Sequence, residues 1–314
     1  MVVFDLLPIG SGSTDKAMGG FRMQHGSRLN IALSMASRPY FEERAERIRF
    51  QPNGYLYLAD DERSETELTR RARLQRELGV PVEHPDPRSL VPFLELDGIT
   101  GANYCSLDGL YEPALVLRAL VQEAADLGAE FRYGAEASVS ELEAEAVAIC
   151  CGIWSKKVGE ELGVRLQVEP LERGVFKVGP FDWMPPKLPM TLEAGSGYHF
   201  RERDGRLTVM GPGDQKQWRH FHDWLCKRAP RAATDLPEGH WTGYYEMTFD
   251  HHPLVGATER PGVWADCGFS GHGVMHSPAI GESLAAMILG DTPSLDISAL
   301  SPLRREPLVD TTQL

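Results

Sequence analysis

The sequence predicts an α/β protein with an α+β second part: a nucleotide-binding, Rossmann-like sheet assembled from separated segments and interleaved with a domain built on an antiparallel sheet. Three observations carry this expectation. Strand and helix signals alternate at both ends of the chain. The block from Leu166 to Gly211 reads as strands and turns alone. Near the C-terminus a buried-strand pattern runs into a glycine-dense loop that is followed by a helix.

In order along the chain, Val2-Val3-Phe4-Asp5 reads as a buried strand and enters the loop Pro8-Ile9-Gly10-Ser11-Gly12-Ser13-Thr14. Gly10-x-Gly12 imitates a dinucleotide fingerprint. Asp15 stands where the third glycine belongs, however, and Gly19-Gly20 breaks any helix that would follow, so the fingerprint is rejected. The loop keeps N–H and hydroxyl donors enough to contact a phosphate. The spacing then predicts a helix over 28–48, a strand over Gln51–Ala59 with Tyr55 and Tyr57 on one face, and a charged helix over Thr66–Leu78. Pro113 opens an amphipathic helix that Gly128 stops. Short strands are expected over Phe131–Val139 and Ala144–Ile149. Cys150-Cys151-Gly152-Ile153-Trp154-Ser155 then reads as a strand-end turn into a helix starting near Ser155. Strands fill 166–211, with turns at Gly195-Ser196-Gly197 and Asp204-Gly205. A helix follows from about Gln217 to Lys227, and an aromatic strand from Trp241 to Met247.

The apolar run Val263-Trp264-Ala265 reads as a buried strand leading into Gly268-Phe269-Ser270-Gly271-His272-Gly273-Val274-Met275, with a helix expected to open at Pro278, a residue suited to a first helical turn. Three glycines in six residues let the backbone press against a flat ligand, and the helix start aims unpaired N–H groups at it. Such a loop suits a group that becomes negative during reaction, such as the N1/O2 edge of a reduced flavin. A tight strand-to-helix turn without a ligand satisfies the same residues.

Composition narrows the classes. The 314 residues suit one large domain or two interleaved ones, and 42% hydrophobic with 25% charged residues are ordinary globular values. A net charge of −13 without a basic patch excludes a nucleic-acid or anionic-membrane surface. Lys156-Lys157 and Arg304-Arg305 are isolated surface pairs. Five cysteines, an odd number without CxxC spacing, fit neither a disulfide framework nor a zinc cluster, so a reducing cytoplasm is expected. No apolar run reaches membrane-spanning length, and the N-terminus lacks a signal-peptide pattern. His251-His252, His220-x-His222, Asp250 and His240 suit no common helical metal motif, and adjacent histidines on a strand point to opposite faces, so no metal is expected. Ser270 lacks the glycine two places on that a nucleophile elbow needs.

Four segments together resemble the FAD-dependent amine and amino-acid oxidoreductases of the D-amino-acid oxidase, glycine oxidase and sarcosine oxidase type, nearest to the β subunits of proline dehydrogenases and heteromeric sarcosine oxidases. They are Gly10-Ser11-Gly12-Ser13-Thr14 with Gly19-Gly20-Phe21-Arg22; Asp108-Gly109-Leu110-Tyr111-Glu112-Pro113; Tyr244-Tyr245-Glu246-Met247-Thr248 with Asp250-His251-His252-Pro253; and Gly268-Phe269-Ser270-Gly271-His272-Gly273. The resemblance implies removal of a hydride from the carbon beside an amine of a small amino acid or secondary amine (sarcosine, proline or glycine-derivative type), with FAD as cofactor. It divides the chain into FAD-binding segments 1–50, 106–165 and 251–314 and substrate segments 51–105 and 166–250. It also implies site residues. Asp5 would bind the adenosine ribose; its alternative is a strand-end carboxylate facing water. Gly12, Ser13 and Thr14 would touch the pyrophosphate or ribityl chain, or else serve as turn caps. Val139 would lie beside the adenine, and Cys151-Gly152 would cover the nucleotide. Trp154 belongs to the same nucleotide turn, with core packing the favoured role. Gly271, His272, Gly273, Val274 and Met275 would line the isoalloxazine, and Gly20, Arg22, Met23 and Gly268 are further cofactor-binding candidates. Arg22 and Tyr245 are the substrate anchors, with His272 nearby as the third catalytic candidate and His25 a weaker one.

Departures from the family pattern shape the expectation. Such proteins begin with a strand, a GxGxxG loop and a helix before the position of Val2, so the FAD-binding unit reads as truncated. The readings are an upstream start, weak FAD binding, or a partner that supplies the unit; a non-catalytic relative acting as a structural subunit is the alternative function. The Val139–Ile149 span is shorter than the family's β-meander, and Phe249 stands where proline is usual. Gly243 replaces the cysteine that tethers FAD in monomeric oxidases, so FAD is expected to be noncovalent. The lysine that helps bind the substrate carboxylate in monomeric sarcosine oxidases is absent at Met275, and no lysine lies on Leu207-Thr208-Val209-Met210 to activate oxygen, the second of which favours a dehydrogenase over an oxidase. Such an enzyme would pass electrons to an acceptor, with an electron-transfer subunit as the expected partner.

Overall fold

The computed structural model describes residues 1–134, 144–212 and 217–308. Strand β1 (Val2–Asp5) and the short β2 (Gly20–Phe21) precede helices α1 (Arg28–Glu43) and α2 (Ala45–Ile48). The helix expected over 28–48 therefore breaks at Arg44, whose backbone leaves the helical region (φ −110°, ψ 15°). Its guanidinium stacks over the Tyr40 ring at 4.0 Å and bonds Glu123 at 2.8 Å, contacts made across the fold that outweigh one more helical turn. Strand β3 covers only Tyr55–Ala59 of the stretch expected from Gln51. Pro52 has no N–H to give, and Gly54 turns the chain at φ 85°. Helix α3 (Glu62–Glu77) starts earlier than expected because Asp61 caps it: the Asp61 carboxylate accepts the Ser64 N–H at 2.6 Å and the Ser64 hydroxyl accepts the Asp61 N–H at 3.1 Å.

Beyond these lie β4 (Gly101–Cys105), β5 (Gly109–Leu110), α4 (Pro113–Asp126), β6 (Glu130–Tyr133), β7 (Val147–Ile149), α5 (Ser155–Glu161), β8 (Glu169–Val178), β9 (Met190–Glu193), β10 (His199–Arg203), β11 (Arg206–Met210), α6 (Trp218–Arg228), β12 (Gly239–Met247), β13 (Leu254–Ala257), β14 (Val263–Cys267) and α7 (Gly273–Leu289). The strand block of the middle forms a mixed sheet in the order β12-β8-β11-β10-β9-β3-β4, antiparallel except where β3 runs parallel to β9. The outer segments give smaller sheets: β1 parallel to β6, and β13-β14-β7 with β14 parallel to β7.

Register decides what each face of the large sheet meets. Tyr55, Met190, His199, Met210 and Tyr245 fall on one face through the pairs Tyr55↔Met190, Met190's neighbour Leu192↔His199, and His199↔Met210, with Tyr245 two residues from Gly243 opposite Arg173. The opposite face carries Leu56, Phe176, Phe200 and Val209, which pack on Phe221 and Leu225 of α6. Each fully buried Leu or Phe there contributes roughly 2 kcal/mol. Glu193 and Arg228, both buried, pin α6 to this face through an ion pair, and Glu193 also accepts the Trp224 indole N–H at 2.7 Å.

Helix α7 differs most from expectation. It opens at Gly273, and Pro278 lies inside it. A proline there removes one intrahelical hydrogen bond, and two serines make good the loss. The Ser277 hydroxyl donates to the Val274 carbonyl at 3.0 Å, and Ser37 of α1 accepts the Ala279 N–H at 3.2 Å. The start of α7 is thus the glycine loop itself.

Candidate active site

Strand β12 organises the glycine loop. The Glu246 carboxylate faces the backbone N–H groups of Gly268 and Phe269, and the Glu246 carbonyl accepts that of Ser270 at 3.0 Å. Burial holds the Glu246 carboxyl above its usual range. Gly271 sits at φ 91°, and a Cβ on it would stand 2.9 Å from the Tyr245 ring, so only glycine lets the loop lie against that ring. The N–H groups of Gly273, Val274 and Met275 are the first of α7 and have no partners within the helix.

Arg22 approaches from the other side. It follows β2, which pairs with β5, and the buried Asp108 fixes the segment by accepting the Met23 N–H at 2.7 Å and the Gln24 side-chain amide at 3.0 Å. Burial pushes Asp108 up to about 6 against those hydrogen bonds. Arg22 is 4% exposed. It donates to the Tyr57 hydroxyl and, through Nη2, to His272 Nε2 at 2.6 Å. Its guanidinium carbon lies 5.8 Å from the ring centres of both Tyr55 and Tyr57, which stack on each other at 5.2 Å. Among the described residues no carboxylate pairs with it. Burial lowers its affinity for the proton, yet a guanidinium keeps its charge at neutral pH.

The histidines here are neutral. Burial first, and the Arg22 charge second, hold His272 well below its ordinary range, and the Nε2 lone pair is left to accept from Arg22. Burial also takes His199, on the same sheet face as Tyr55 and Tyr245, down to about 4. The Tyr245 hydroxyl meets the Met210 sulfur at 3.3 Å.

The sequence-derived candidates therefore fall into groups. Arg22, His272, Tyr245 and Gly271 converge, with Gly268 and Gly273 bracketing the loop. Met23 and Met275 are buried in the apolar cluster beneath, with Val274 packed against it. A Cβ on Gly20 would press on Met190 and Tyr55, so its backbone closes on the large sheet. Ser13 accepts the Tyr244 N–H at 3.3 Å, which brings the Gly12-Ser13-Thr14 loop onto β12. Asp5 ends β1, accepts the Leu7 N–H at 2.9 Å, and acts electrostatically on Cys151 next to Gly152. Trp154 does not pack in the core: it is 53% exposed, because the Gly152 turn at φ 55° and the short 3-10 helix after it swing the indole outward. Val139 lies outside the described residues. Tyr57, Asp108, Glu246, Ser34 and His276 were not singled out as site residues. The alternation that put Tyr55 and Tyr57 on one face was the available signal for the first of them.

The set suits FAD. A glycine-rich loop at positive φ, three unpaired helix N–H groups and a buried cation lacking a carboxylate among the described residues favour a flat group that gains negative charge. Among the described residues no group of three or more His, Cys, Asp or Glu could hold a metal ion, and no helix is long and apolar enough to cross a membrane.

Comparison with known proteins agrees. The family model described as FAD dependent oxidoreductase (DAO) matches residues 2–287. The chain is 26% identical over 378 residues to FAD-dependent oxidoreductase domain-containing protein 1 of Xenopus laevis, an alignment that spans 95% of this chain and 75% of that protein. It is 25% identical over 344 residues to glycine oxidase of Geobacillus kaustophilus, across 97% of this chain and 90% of the relative. Among solved structures, L-proline dehydrogenase from P. horikoshii superposes with a TM-score of 0.88 at 22% identity, covering 96% of this chain and 90% of that one.

Proposed function

The chain belongs to the FAD-dependent oxidoreductase family, and we propose that it is a dehydrogenase of a small amino acid or secondary amine, of the sarcosine, proline or glycine-derivative type, with noncovalently held FAD. The observation that carries this reading is Arg22: a buried guanidinium without a carboxylate partner among the described residues, at the start of α7 and beneath the aromatic face of the large sheet. Burying such a charge is costly unless an anion completes it, and the carboxylate of an amino-acid substrate is that anion.

In this reading the chain's own groups divide the work. Arg22 binds and orients the substrate carboxylate with the N–H donors left over from Tyr57 and His272. Tyr55, Tyr57 and Tyr245 wall the site with rings and limit water. His272, neutral, accepts from Arg22 and holds the guanidinium plane in place. The N-terminus of α7 with Gly271, His272 and Gly273 would steady the pyrimidine end of the isoalloxazine, while Asp5, Ser13, Thr14, Cys151 and Gly152 would serve the nucleotide. FAD, when bound, supplies the two-electron acceptor for the C–H bond beside the amine. Gly243 offers no thiol for a covalent link, and β11 offers no lysine, which supports a dehydrogenase that hands electrons to a partner subunit. The division into cofactor segments 1–50, 106–165 and 251–314 and substrate segments 51–105 and 166–250 belongs to the same reading. So does a cytoplasmic location, which rests on five free thiols.

The test is reconstitution with FAD followed by anaerobic mixing with sarcosine, proline and glycine. Bleaching of the flavin bands, with reoxidation faster by an artificial acceptor than by oxygen, is the expected result. A protein that takes up no flavin, or whose flavin no amine bleaches, would leave the non-catalytic structural subunit as the better account.

A further inference from the structure

Behind His272 lies a buried hydrogen-bonded chain that the reaction as described does not use. Ser34 of α1 is fully buried, and its hydroxyl stands 3.1 Å from His25 Nε2 and 3.0 Å from His276 Nε2. The three imidazoles cluster: His25 meets His272 edge to face at 5.2 Å, and the His276 ring lies 5.3 Å from His25 and 6.0 Å from His272. His276 is 1% exposed, and its Nδ1 has no hydrogen-bond partner.

One hydroxyl carries one proton, so Ser34 can donate to only one of the two facing Nε2 atoms and must accept from the other. If His276 carried its proton on Nδ1, a buried N–H would go unmet, at a cost of about 1–3 kcal/mol. The proton therefore sits on His276 Nε2, which donates to Ser34, and Ser34 donates to His25 Nε2. His25 must then carry its proton on Nδ1, and the Arg22 carbonyl that acts on the His25 ring is the acceptor on that side. The chain runs in one direction, His276 to Ser34 to His25 to the Arg22 backbone, and it ends on a carbonyl that has no proton to pass on.

We propose that Ser34 is a positioning residue: its hydroxyl locks His25 and His276 in opposite tautomers behind the His272 ring, and so fixes the backbone of Arg22 and the ring that receives its guanidinium. The proposal rests on the reading of Arg22 as the carboxylate anchor. Charges around the cluster agree with it. Burial foremost, and Arg22 next, hold His25 and His276 below their ordinary range. The other groups acting on His272 and His276 are His251 and His252 of the β12–β13 turn. The buried Asp108 is committed to Met23 and Gln24.

The experiment uses the full chain labelled with [15N]histidine, free of FAD, and long-range 1H–15N spectra at neutral pH. His25 should report its proton on Nδ1 and His276 on Nε2. Ser34→Thr, which keeps the hydroxyl, should retain both signatures. Ser34→Ala should lose the fixed His276 tautomer and, after FAD reconstitution, bind the carboxylate probe benzoate about tenfold more weakly, the equivalent of one lost hydrogen bond. The same tautomer on both rings of the unmutated protein would overturn the proposal, a result that does not depend on Ser34→Ala folding. So would unchanged tautomers and benzoate affinity in Ser34→Ala. Failure of the unmutated protein to take benzoate would instead sink the assignment of Arg22, while the tautomers still decide the positioning role of Ser34.

Discussion

Replacing Arg22 with methionine separates a functional cation from a structural one. In the folded chain the guanidinium has Tyr57 and His272 as partners and no carboxylate among the described residues. Of its five N–H donors, at least two remain for a ligand in the fork geometry that a carboxylate accepts. A hydrogen bond to a charged group is worth about 1.5–3 kcal/mol, so losing the pair, about 3 kcal/mol at the lower end, should weaken carboxylate binding by roughly 150-fold or more. The ledger for folding has the opposite sign. Methionine removes a buried charge that the protein alone leaves uncompensated, so the FAD-free variant should be as stable as the parent or more stable. The assays are benzoate titration of the FAD-reconstituted protein, followed by the flavin spectrum, and thermal melting of the FAD-free protein. Arg22→Lys should fall between, because it keeps the charge and loses the fork. Benzoate affinity within twofold of the parent, or a variant that melts several degrees lower, would refute the argument.

Other substitutions probe the frame around that cation. Gly271→Ala places a Cβ 2.9 Å from the Tyr245 ring at φ 91°, and should cost about 1–3 kcal/mol of stability together with FAD affinity, measured by melting and by quenching of flavin fluorescence; a fully stable alanine variant would contradict the packing. Burial and the neighbouring Glu246 push Asp266 up to about 7, above the usual carboxylate value. Above pH 7 the folded protein thus bears an ionised carboxylate at a cost, and as pH falls from 7 toward 4 the folded state holds a proton that the unfolded chain has lost, so stability recovers. Asp266→Asn should therefore be more stable than the parent at pH 8, by an amount on the order of 4 kcal/mol, and the gap should narrow as the pH falls through 7 and close near pH 4; a gap that does not vary with pH would discard that origin. Pro278→Ala should gain less than about 1 kcal/mol, rather than the ~3 kcal/mol expected of an uncompensated mid-helix proline. Ser37→Ala should lose about 1–2 kcal/mol by leaving the Ala279 N–H unmet. A gain near 3 kcal/mol from Pro278→Ala, or no loss from Ser37→Ala, would point away from the serine compensation.

What the sequence made legible was whatever local rules govern. Alternation placed Tyr55 and Tyr57 on one face, and they stack there. The turns at Gly195-Ser196-Gly197 and Asp204-Gly205 separate β9, β10 and β11 as expected. The errors arose where partners far apart in the chain override a local rule. Proline at 278 reads as a helix opening because first-turn prolines are common, yet Ser37, distant in sequence, takes the Ala279 N–H and lets the helix begin at Gly273. Trp154 reads as core because it is large and apolar, but its direction is set by the left-handed Gly152 turn. Arg22 and His272 lie at opposite ends of the chain, so their 2.6 Å contact could be suggested only by resemblance to relatives, and the sheet order that brings Tyr57 over Arg22 has no local signature at all.

The choice of partners around Arg22 explains why the cation remains useful. A carboxylate in the place of His272 would neutralise the guanidinium within the protein and leave an incoming anion little to bind. A neutral imidazole instead satisfies one N–H and fixes the plane without cancelling the charge, and the Tyr57 hydroxyl does the same. The acid that stands nearby, Asp108, is occupied by the Met23 N–H and the Gln24 amide, and burial raises its proton affinity, so its own field on Arg22 weakens as it protonates. The partial positive charge at the start of α7 adds to the guanidinium rather than opposing it. Electrostatically the protein is therefore unfinished at this point, and completion requires negative charge from outside the chain: a carboxylate, an electron-rich ring edge, or both together.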